Sequence, residues 1–221
     1  MILAIDTTHE FGSIALMADG ELLEERLLRA PDGFGQVLYG HLASLLEGHG
    51  RRLEEVECFA AASGPGSFTG VRVGLACVKG LAAALDRPAV AVSNLQALAV
   101  FGRAPLRATV LDARRGEIYG AVYDAGLRPV LPEIVMKFPQ WLETLPAGPL
   151  EFVSSDFGPF RGALAGTRFS GLPVVEAPRA LAGAIARIAQ AQFRAGLAVD
   201  PAQLDANYVR RSDAELFWKE I

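Results

Sequence analysis

With 221 residues, 51% of them apolar and 21% charged, the sequence excludes a disordered chain and allows one large domain or two compact lobes. A formal net charge of −4 excludes the strongly basic field with which a protein holds nucleic acid by itself. No apolar run is long enough to cross a bilayer, and residues 1–6 are too short and too soon acidic for a signal peptide. Cys58 and Cys77 form neither a CxxC pair nor a disulfide framework, so we expect a reducing, cytoplasmic location.

The first half of the sequence predicts three strands, a helix, a strand and a second helix. Apolar runs indicate the strands, and Asp19-Gly20 is a hairpin signal between the second and the third. After a break at residues 31–33, apolar residues recur at helical spacing. The predicted strands are residues 2–5, 12–18, 21–28 and 56–62, and the predicted helices are residues 37–46 and 71–85.

The same order returns in the second half. The predicted strands there are residues 109–112, 117–123, 130–135 and 152–153, and the predicted helices are residues 140–145 and 179–194. Pairing Asp6 with Asp112 and Gly20 with Gly126 uses one common offset without a gap. These matches predict an α/β protein with a duplicated βββαβα unit. We place the two lobes at residues 1–101 and 102–221, with residues 102–105 between them.

A duplicated unit with an acid closing each first strand resembles the actin, heat-shock chaperone and sugar-kinase superfamily. The resemblance implies an actin-like ATPase (ribonuclease H-like) fold whose lobes flank a cleft. It also implies that Asp6 and Asp112 face the phosphates and metal of ATP. From the residues alone, an aspartate after a strand can equally cap its own turn. For the matched pair both interpretations stay open.

The glycine-rich string at residues 63–74 joins a predicted strand to a predicted helix. Its glycines permit tight turns, Ser67 or Thr69 can cap the helix, and exposed amides there could hold an anion. It is not a Walker loop, because no Lys precedes a Ser or Thr after the last glycine. Its GxGxxxG spacing also differs from the dinucleotide-binding fingerprint. The string is therefore predicted to be a strand-to-helix joint that could bind phosphate.

The helix after this joint is rich in small residues. Glycine inside a helix costs about 1 kcal/mol relative to alanine. Gly74 and Gly80 should therefore be compensated by close packing of another helix. That helix could be the one at residues 37–46 or one from a second chain, and the sequence leaves both open.

The string Gly-Pro-Gly-Ser-Phe-Thr-Gly-Val-Arg at residues 64–72, followed by a Gly- and Ala-rich helix, resembles the hallmark of the TsaB (formerly YeaZ) family. Residues 2–8, 92–95, 112–119 and 208–211 are similar to further family markers, in the same order. The sequence departs from the family before the first helix. There the family commonly carries a His-Ser or His-Thr pair, and this chain has Asp-Gly-Phe-Gly-Gln at residues 32–36.

The family resemblance implies a subunit without transfer activity of its own. Such a subunit binds and activates TsaD, which moves threonylcarbamoyl onto the tRNA adenosine 3′ to the anticodon, and it recruits the ATPase TsaE. It contacts tRNA only within the complex and forms a homodimer when isolated. The resemblance implies no catalytic residue, no metal ligand and no cofactor of its own, and it leaves ATP or ADP with magnesium to the complex.

The resemblance also implies two sets of site residues. In the partner surface, Gly70, Gly74 and Ala84 would admit a partner helix, while Val71, Leu75, Val78 and Leu85 face the core of the chain or a neighbouring helix. The partner-surface residues are Val37, Tyr39, His41, Leu42, Leu45, Gly70, Val71, Gly74, Val78 and Leu81. The vestigial nucleotide or phosphate positions are Asp6, Thr7, Thr8, Gly64, Gly66, Ser67 and Asp112.

Complete catalytic motifs are missing from the sequence. His41 and His49 lie about 80° apart around a helix, which makes them a poor metal-ligand pair. There is no Gly-Gly turn at residues 150–183 to grip adenosine. The basic pairs at residues 51–52, 114–115 and 210–211 are predicted to be solvated surface. A scaffolding subunit is therefore predicted, and the alternative is an actin-like-fold ATPase or small-molecule kinase that uses Asp6 and Asp112 around magnesium nucleotide.

Overall fold

In the computed structural model, which describes residues 1–210, the chain divides into two compact units. Unit 1 contains Met1–Ala97 and Pro178–Ala206, and unit 2 contains Leu98–Ala177 and the described residues from Asn207 onward. Within residues 1–210, no helix combines the length and the apolar character needed to cross a membrane.

Unit 1 is built on a five-stranded mixed sheet. Its elements are β1 (Ile2–Asp6), β2 (Phe11–Ala18), β3 (Glu21–Arg29), α1 (Leu38–Gly48), β4 (Cys58–Gly64), α2 (Phe68–Ala84), β5 (Ala89–Ser93), the start of α3 (Asn94–Ala99) and, later in the chain, α6 (Ala182–Arg194). The strand order is β3-β2-β1-β4-β5. β2 pairs antiparallel with β1 and β3, while β4 runs parallel to β1 and β5. β1 and β4 are buried along their whole length, which explains their unbroken apolar runs.

Unit 2 repeats this sheet. Its elements are β6 (Leu106–Arg114), β7 (Glu117–Asp124), β8 (Pro129–Lys137), α4 (Phe138–Thr144), β9 (Leu150–Ser154), α5 (Gly158–Arg161) and β10 (Val174–Glu176). The strand order β8-β7-β6-β9-β10 matches that of unit 1 strand by strand. Asp6 and Asp112 lie at or near the ends of equivalent strands, and Gly20 and Gly126 lie in equivalent hairpin turns. The predicted duplication is confirmed.

The two units fill their cores differently. The core of unit 1 is mainly aliphatic, with α1 and α2 packed against the sheet. In unit 2, aromatic rings pack with centroids 5.2–6.5 Å apart, at tilted or edge-on angles that favour such pairs. The rings are those of Phe138, Trp141, Phe152, Phe157, Phe160 and Phe169.

Helix α6 belongs to unit 1, whereas the sequence placed it in the second lobe. Ser13 Oγ accepts hydrogen bonds from the backbone N–H groups of Leu181 and Ala182, at 3.1 and 3.0 Å. The N–H of Gly183 donates to Glu25 Oε1 at 2.7 Å. The first N–H groups of a helix lack partners within the helix, so β2 and β3 supply the acceptors that fix α6 on their sheet. The units therefore divide near residues 97 and 178, whereas the sequence predicted a single boundary at residue 101, and the attachment of α6 accounts for the second division.

We expect Ser13→Ala to lower the free energy of unfolding by about 1–3 kcal/mol, because two buried N–H groups would lose their acceptor. Urea unfolding measures the change. Ser170→Ala, at an exposed serine of unit 2, serves as the control and should change the unfolding free energy by less than about 0.5 kcal/mol. Equal stability of the Ser13→Ala variant and the wild type would contradict the role of Ser13 in fixing α6.

Candidate functional site

The glycine-rich string forms the turn between β4 and α2. Gly64 has a left-handed φ of 101°, and the Gly64–Pro65 peptide bond is cis. Ser67 caps α2, since its Oγ accepts a hydrogen bond from the N–H of Gly70 at 3.3 Å. The cap predicted at Ser67 or Thr69 is therefore at Ser67, and the helix begins three residues before the predicted start at residue 71.

Three glycines of this region, spaced four residues apart, lie against the turn that connects β1 and β2. A Cβ atom on Gly66 would lie 2.5 Å from the carbonyl oxygen of Thr8. A Cβ atom on Gly70 would overlap the carbonyl oxygen of Thr7, and one on Gly74 would lie 2.7 Å from Thr7 Oγ1. Real Cβ atoms do not make contacts this short, so the backbones of the two turns can meet only because these residues lack side chains.

Hydrogen bonds join the same two turns. The N–H of Ser67 donates to the carbonyl oxygen of Thr8 at 2.7 Å, and the Thr7 hydroxyl donates to the carbonyl oxygen of Gly70 at 2.7 Å. Gly70 and Gly74 are thus compensated by contacts with β1–β2 residues of their own chain. This corrects the prediction that they admit a partner helix, because the Cβ positions of both glycines face Thr7 of the same chain.

Asp6 is buried, with 2% of its surface exposed, and both of its carboxylate oxygens accept hydrogen bonds. Oδ1 accepts from the backbone N–H and the hydroxyl of Thr8, at 2.9 and 2.6 Å. Oδ2 accepts from Asn94 Nδ2 at 3.3 Å, and the same amide donates to Thr8 Oγ1 at 2.8 Å. Asp6 therefore caps its own turn, and Asn94, at the start of α3, completes the network. The sequence did not single out Asn94 as a site residue, although it lies in the family marker at residues 92–95.

Asp112 occupies the equivalent place in unit 2 but is exposed. Its Oδ1 accepts from the N–H of Arg114 at 2.8 Å, and its Oδ2 lies 3.4 Å from the Arg114 guanidinium. This aspartate also caps its own turn. The turn-capping interpretation thus holds for both aspartates, and a nucleotide role for either stays a prediction.

A cavity of about 500 Å³ opens in unit 1 beside the glycine-rich turn. Its walls come from the β1–β2 turn, from residues 29–36 and from the start of α2, including Ser67, Thr69 and Val73. The volume lies in the range of small-molecule sites. The wall at residues 32–36 is the stretch in which the sequence departs from the TsaB family.

The predicted partner-surface residues divide between the core and the surface. Six are buried in unit 1: Leu42, Leu45, Gly70, Val71, Gly74 and Val78. Three are half-buried: Val37, His41 and Leu81. Only Tyr39 is largely exposed, at 58%. Val71, Leu75 and Val78 lie in the core of unit 1, and Leu85, which was predicted with them to face the core or a neighbouring helix, is half-buried against that core.

Apart from Tyr39, and from Ala84 that was predicted to admit a partner helix, the exposed side of α1 and α2 carries residues that the prediction did not name. Small side chains dominate it, and Gly80 has no atom within 4 Å of a Cβ position. Phe68 is 43% exposed, with the Arg72 guanidinium 3.6 Å from its ring centroid. We call this set the α1–α2 face: Tyr39, Gly40, Ala43, Phe68, Arg72, Ala76, Gly80, Ala83 and Ala84.

Two histidines of the described residues contact neighbouring side chains, and both cysteines are buried. His9 Nδ1 lies 2.8 Å from Thr8 Oγ1, and His49 Nε2 lies 2.9 Å from Glu24 Oε2. Burial raises the pKa of Cys58 to about 12 and that of Cys77 to about 11, which keeps both thiols protonated and unreactive. Residues 1–210 contain no cluster of three or more His, Cys, Asp or Glu side chains suited to a metal ion.

The chain is similar to known proteins both in sequence and in structure. A family model described as TsaD: tRNA N6-adenosine threonylcarbamoyltransferase matches residues 33–190. The tRNA threonylcarbamoyladenosine biosynthesis protein TsaB of Bacillus subtilis is 35% identical over 149 residues, covering 65% of this chain and 65% of that protein. The Escherichia coli protein of the same name is 37% identical over 126 residues, covering 55% and 54%. The matched part thus spans less than two thirds of each of these relatives.

Among solved structures, YeaZ from Pseudomonas aeruginosa superposes with a TM-score of 0.80 at 27% identity, covering 94% of this chain and 98% of that one. Together with the duplicated sheets, this match confirms the predicted actin-like (ribonuclease H-like) α/β fold class. The matches from sequence and structure show that the chain belongs to the family described as TsaD: tRNA N6-adenosine threonylcarbamoyltransferase, as one of its TsaB (YeaZ) proteins.

Proposed function

We propose that this chain is a non-catalytic, cytoplasmic subunit of the machinery that makes threonylcarbamoyladenosine on tRNA. In this role it binds and activates TsaD, recruits TsaE, and pairs with itself through the same surface when TsaD is absent. The names of the TsaB relatives support the pathway. The match of this chain to a family model named for the transferase supports a relationship in fold between the chain and its proposed partner TsaD.

The observation that carries the proposal is the α1–α2 face. Ala76, Gly80, Ala83 and Ala84 are exposed along one side of α2, where a second helix can approach the backbone closely. Phe68 and Tyr39 add exposed aromatic surface beside them, and Arg72 stacks on the Phe68 ring. Aromatic residues and arginine are enriched in protein interfaces and often dominate their affinity.

The network around Asp6 supports a binding role over catalysis by this chain. A carboxylate that serves a magnesium nucleotide must offer an oxygen to the metal or to its water. Both oxygens of Asp6 already accept hydrogen bonds from Thr8 and Asn94, and these would have to be shared with, or given up to, a metal-bound water. The alternative, an actin-like ATPase or small-molecule kinase, is favoured by the cavity of about 500 Å³. Steady phosphate release from ATP by the purified chain alone would support that alternative.

Substitution of Gly80 by arginine tests the partner surface. Gly80 lies within α2 with open space around it, so a large side chain fits the isolated protein but blocks a close helix. We expect Gly80→Arg to weaken TsaD binding at least 100-fold, about 2.7 kcal/mol, in a calorimetric titration. Its melting temperature should stay within a few degrees of the wild type.

Gly162→Arg is the matched control, because Gly162 is also exposed with no atom near its Cβ position and lies in unit 2. This variant should bind TsaD with wild-type affinity. Full affinity of the Gly80→Arg variant would contradict the assignment of the α1–α2 face. The same substitution at Gly74 would not be a clean test, because its Cβ atom would meet Thr7 Oγ1 inside the chain.

A further inference from the structure

The hairpin that joins β6 and β7 places arginine where the backbone favours other residues. Arg114 pairs with Glu117 across the strands, which leaves Arg115 and Gly116 as a two-residue turn. Their φ angles are 57° and 76°, and Arg114 also has a left-handed φ of 64°. Two-residue turns with positive φ at both positions favour Asn-Gly. Two successive arginines in this conformation cost stability, and such local strain is commonly found at functional sites.

The two arginines are presented to solvent from a fixed base. The Arg114 side chain is 84% exposed, and Arg115 is exposed as well. Asp112 caps the turn by accepting from the N–H of Arg114 at 2.8 Å. The backbone of the hairpin is thus held in place, and both arginine side chains are exposed at its tip, where the Arg114 guanidinium lies 3.4 Å from Asp112 Oδ2.

Further positive charge lies at the same hairpin. Arg210 donates to the carbonyl oxygen of Ala113 at 2.7 Å, pairs with Glu117, and lies 5.7 Å from the ring centroid of Tyr119. Lys137, an exposed residue of β8, lies opposite Glu117 in the strand register. The hairpin and its neighbours thus carry four cationic side chains and two acids, and although Asp112 pairs with Arg114 and Glu117 with Arg210, a local excess of positive charge remains in a protein whose formal net charge is −4.

We propose that the tip of the β6–β7 hairpin, through Arg114 and Arg115, contacts phosphates of the RNA substrate in the assembled complex. This inference rests on the proposed function, which supplies an RNA as the polyanion. Guanidinium groups match phosphate oxygens in two-point contacts, and a rigid turn lowers the entropy lost when they bind. Two arginines make too few phosphate contacts to hold RNA alone. They therefore add to the RNA affinity that the other subunits of the complex provide.

The test measures binding of fluorescently labelled tRNA to the complex of this chain with TsaD, by anisotropy over a range of salt concentrations. The variant carries Arg114→Gln and Arg115→Gln, and the control carries Arg51→Gln and Arg52→Gln, which remove the same charge from an exposed site in unit 1. We expect the hairpin variant to bind roughly 10-fold more weakly. The slope of log K against log salt should fall by roughly 1.5, as expected for two lost phosphate contacts. The control should match the wild type.

A single substitution separates RNA contact from damage to the fold. Asparagine is favoured at the first position of this turn, so Arg115→Asn should raise the melting temperature by about 1–3 °C while it weakens RNA binding. A structural role for Arg115 would predict the opposite change in melting temperature. A variant that is more stable and binds RNA with wild-type affinity would overturn the inference.

The remaining outcomes distinguish the inference from the proposed function. Size-exclusion chromatography reports whether the complex forms, and absence of any complex contradicts the proposed function. In that event the weak binding of the isolated chain to tRNA at low salt is compared between wild type and hairpin variant, and equal affinity overturns the inference. If the hairpin variant loses affinity for TsaD but keeps its RNA affinity in the remaining complex, the hairpin serves an acidic protein surface and the inference is overturned.

Discussion

Replacement of Gly70 by alanine is expected to lower the free energy of unfolding by about 3–5 kcal/mol. The added Cβ atom would overlap the backbone carbonyl oxygen of Thr7, and backbone atoms cannot rotate away as a flexible side chain can. Relief requires α2 to move away from the β1–β2 turn. That movement would break the hydrogen bonds from the Thr7 hydroxyl to Gly70 and from the Ser67 N–H to Thr8.

Gly80→Ala in the same helix is the control for this substitution. No atom lies within 4 Å of its Cβ position, so the usual helix preference should apply and raise the unfolding free energy by about 0.5–1 kcal/mol. Urea or thermal unfolding of both variants gives the comparison. Changes of the same sign and similar size at the two positions would contradict the close approach of α2 to the β1–β2 turn.

The Asp6→Ala substitution is expected to lower the free energy of unfolding by about 3–4 kcal/mol. It removes the acceptor for the Thr8 N–H, the Thr8 hydroxyl and the Asn94 amide, all of which are buried. Donors left without partners in a buried site retain the full penalty of their desolvation.

Asp112→Ala is the matched control in the duplicated unit. Asp112 is 42% exposed, so water replaces it as a partner of Arg114, and we expect a loss below about 1 kcal/mol. Urea unfolding followed by circular dichroism measures both variants. If the Asp6→Ala variant is as stable as the wild type but no longer binds nucleotide, Asp6 serves a ligand and not its own turn.

The elements with strong local signals could be predicted from the sequence. Apolar runs gave the central strands, Asp19-Gly20 marked the β2–β3 hairpin, and helical spacing located α1 and α2. The pairs Asp6 and Asp112, and Gly20 and Gly126, share one offset in the sequence, and this shared offset predicted the duplication. The short elements β5, α5 and β10 lack such signals, because three to five residues carry too little periodicity.

The features that could not be predicted from the sequence depend on contacts between residues far apart in the chain. Ser13 accepts hydrogen bonds from residues 168 and 169 positions later, so no local pattern could assign α6 to unit 1. The small residues of α2 were recognised, but which side of the helix faces the sheet depends on where β1 and its turn lie. Gly74 therefore packs on Thr7, while Gly80 faces solvent. The contribution of α2 to the α1–α2 face therefore comes from its exposed side, and its buried glycines do not belong to that face.

The central claim is that this chain acts by binding TsaD through the α1–α2 face. Size-exclusion chromatography with light scattering on an equimolar mixture with TsaD from the same organism tests this claim most directly. We predict a one-to-one heterodimer that replaces any homodimer, joins TsaE when it is added with nucleotide, and is absent with the Gly80→Arg variant. Separate elution of the wild-type chain and TsaD, with or without nucleotide and TsaE, would contradict it.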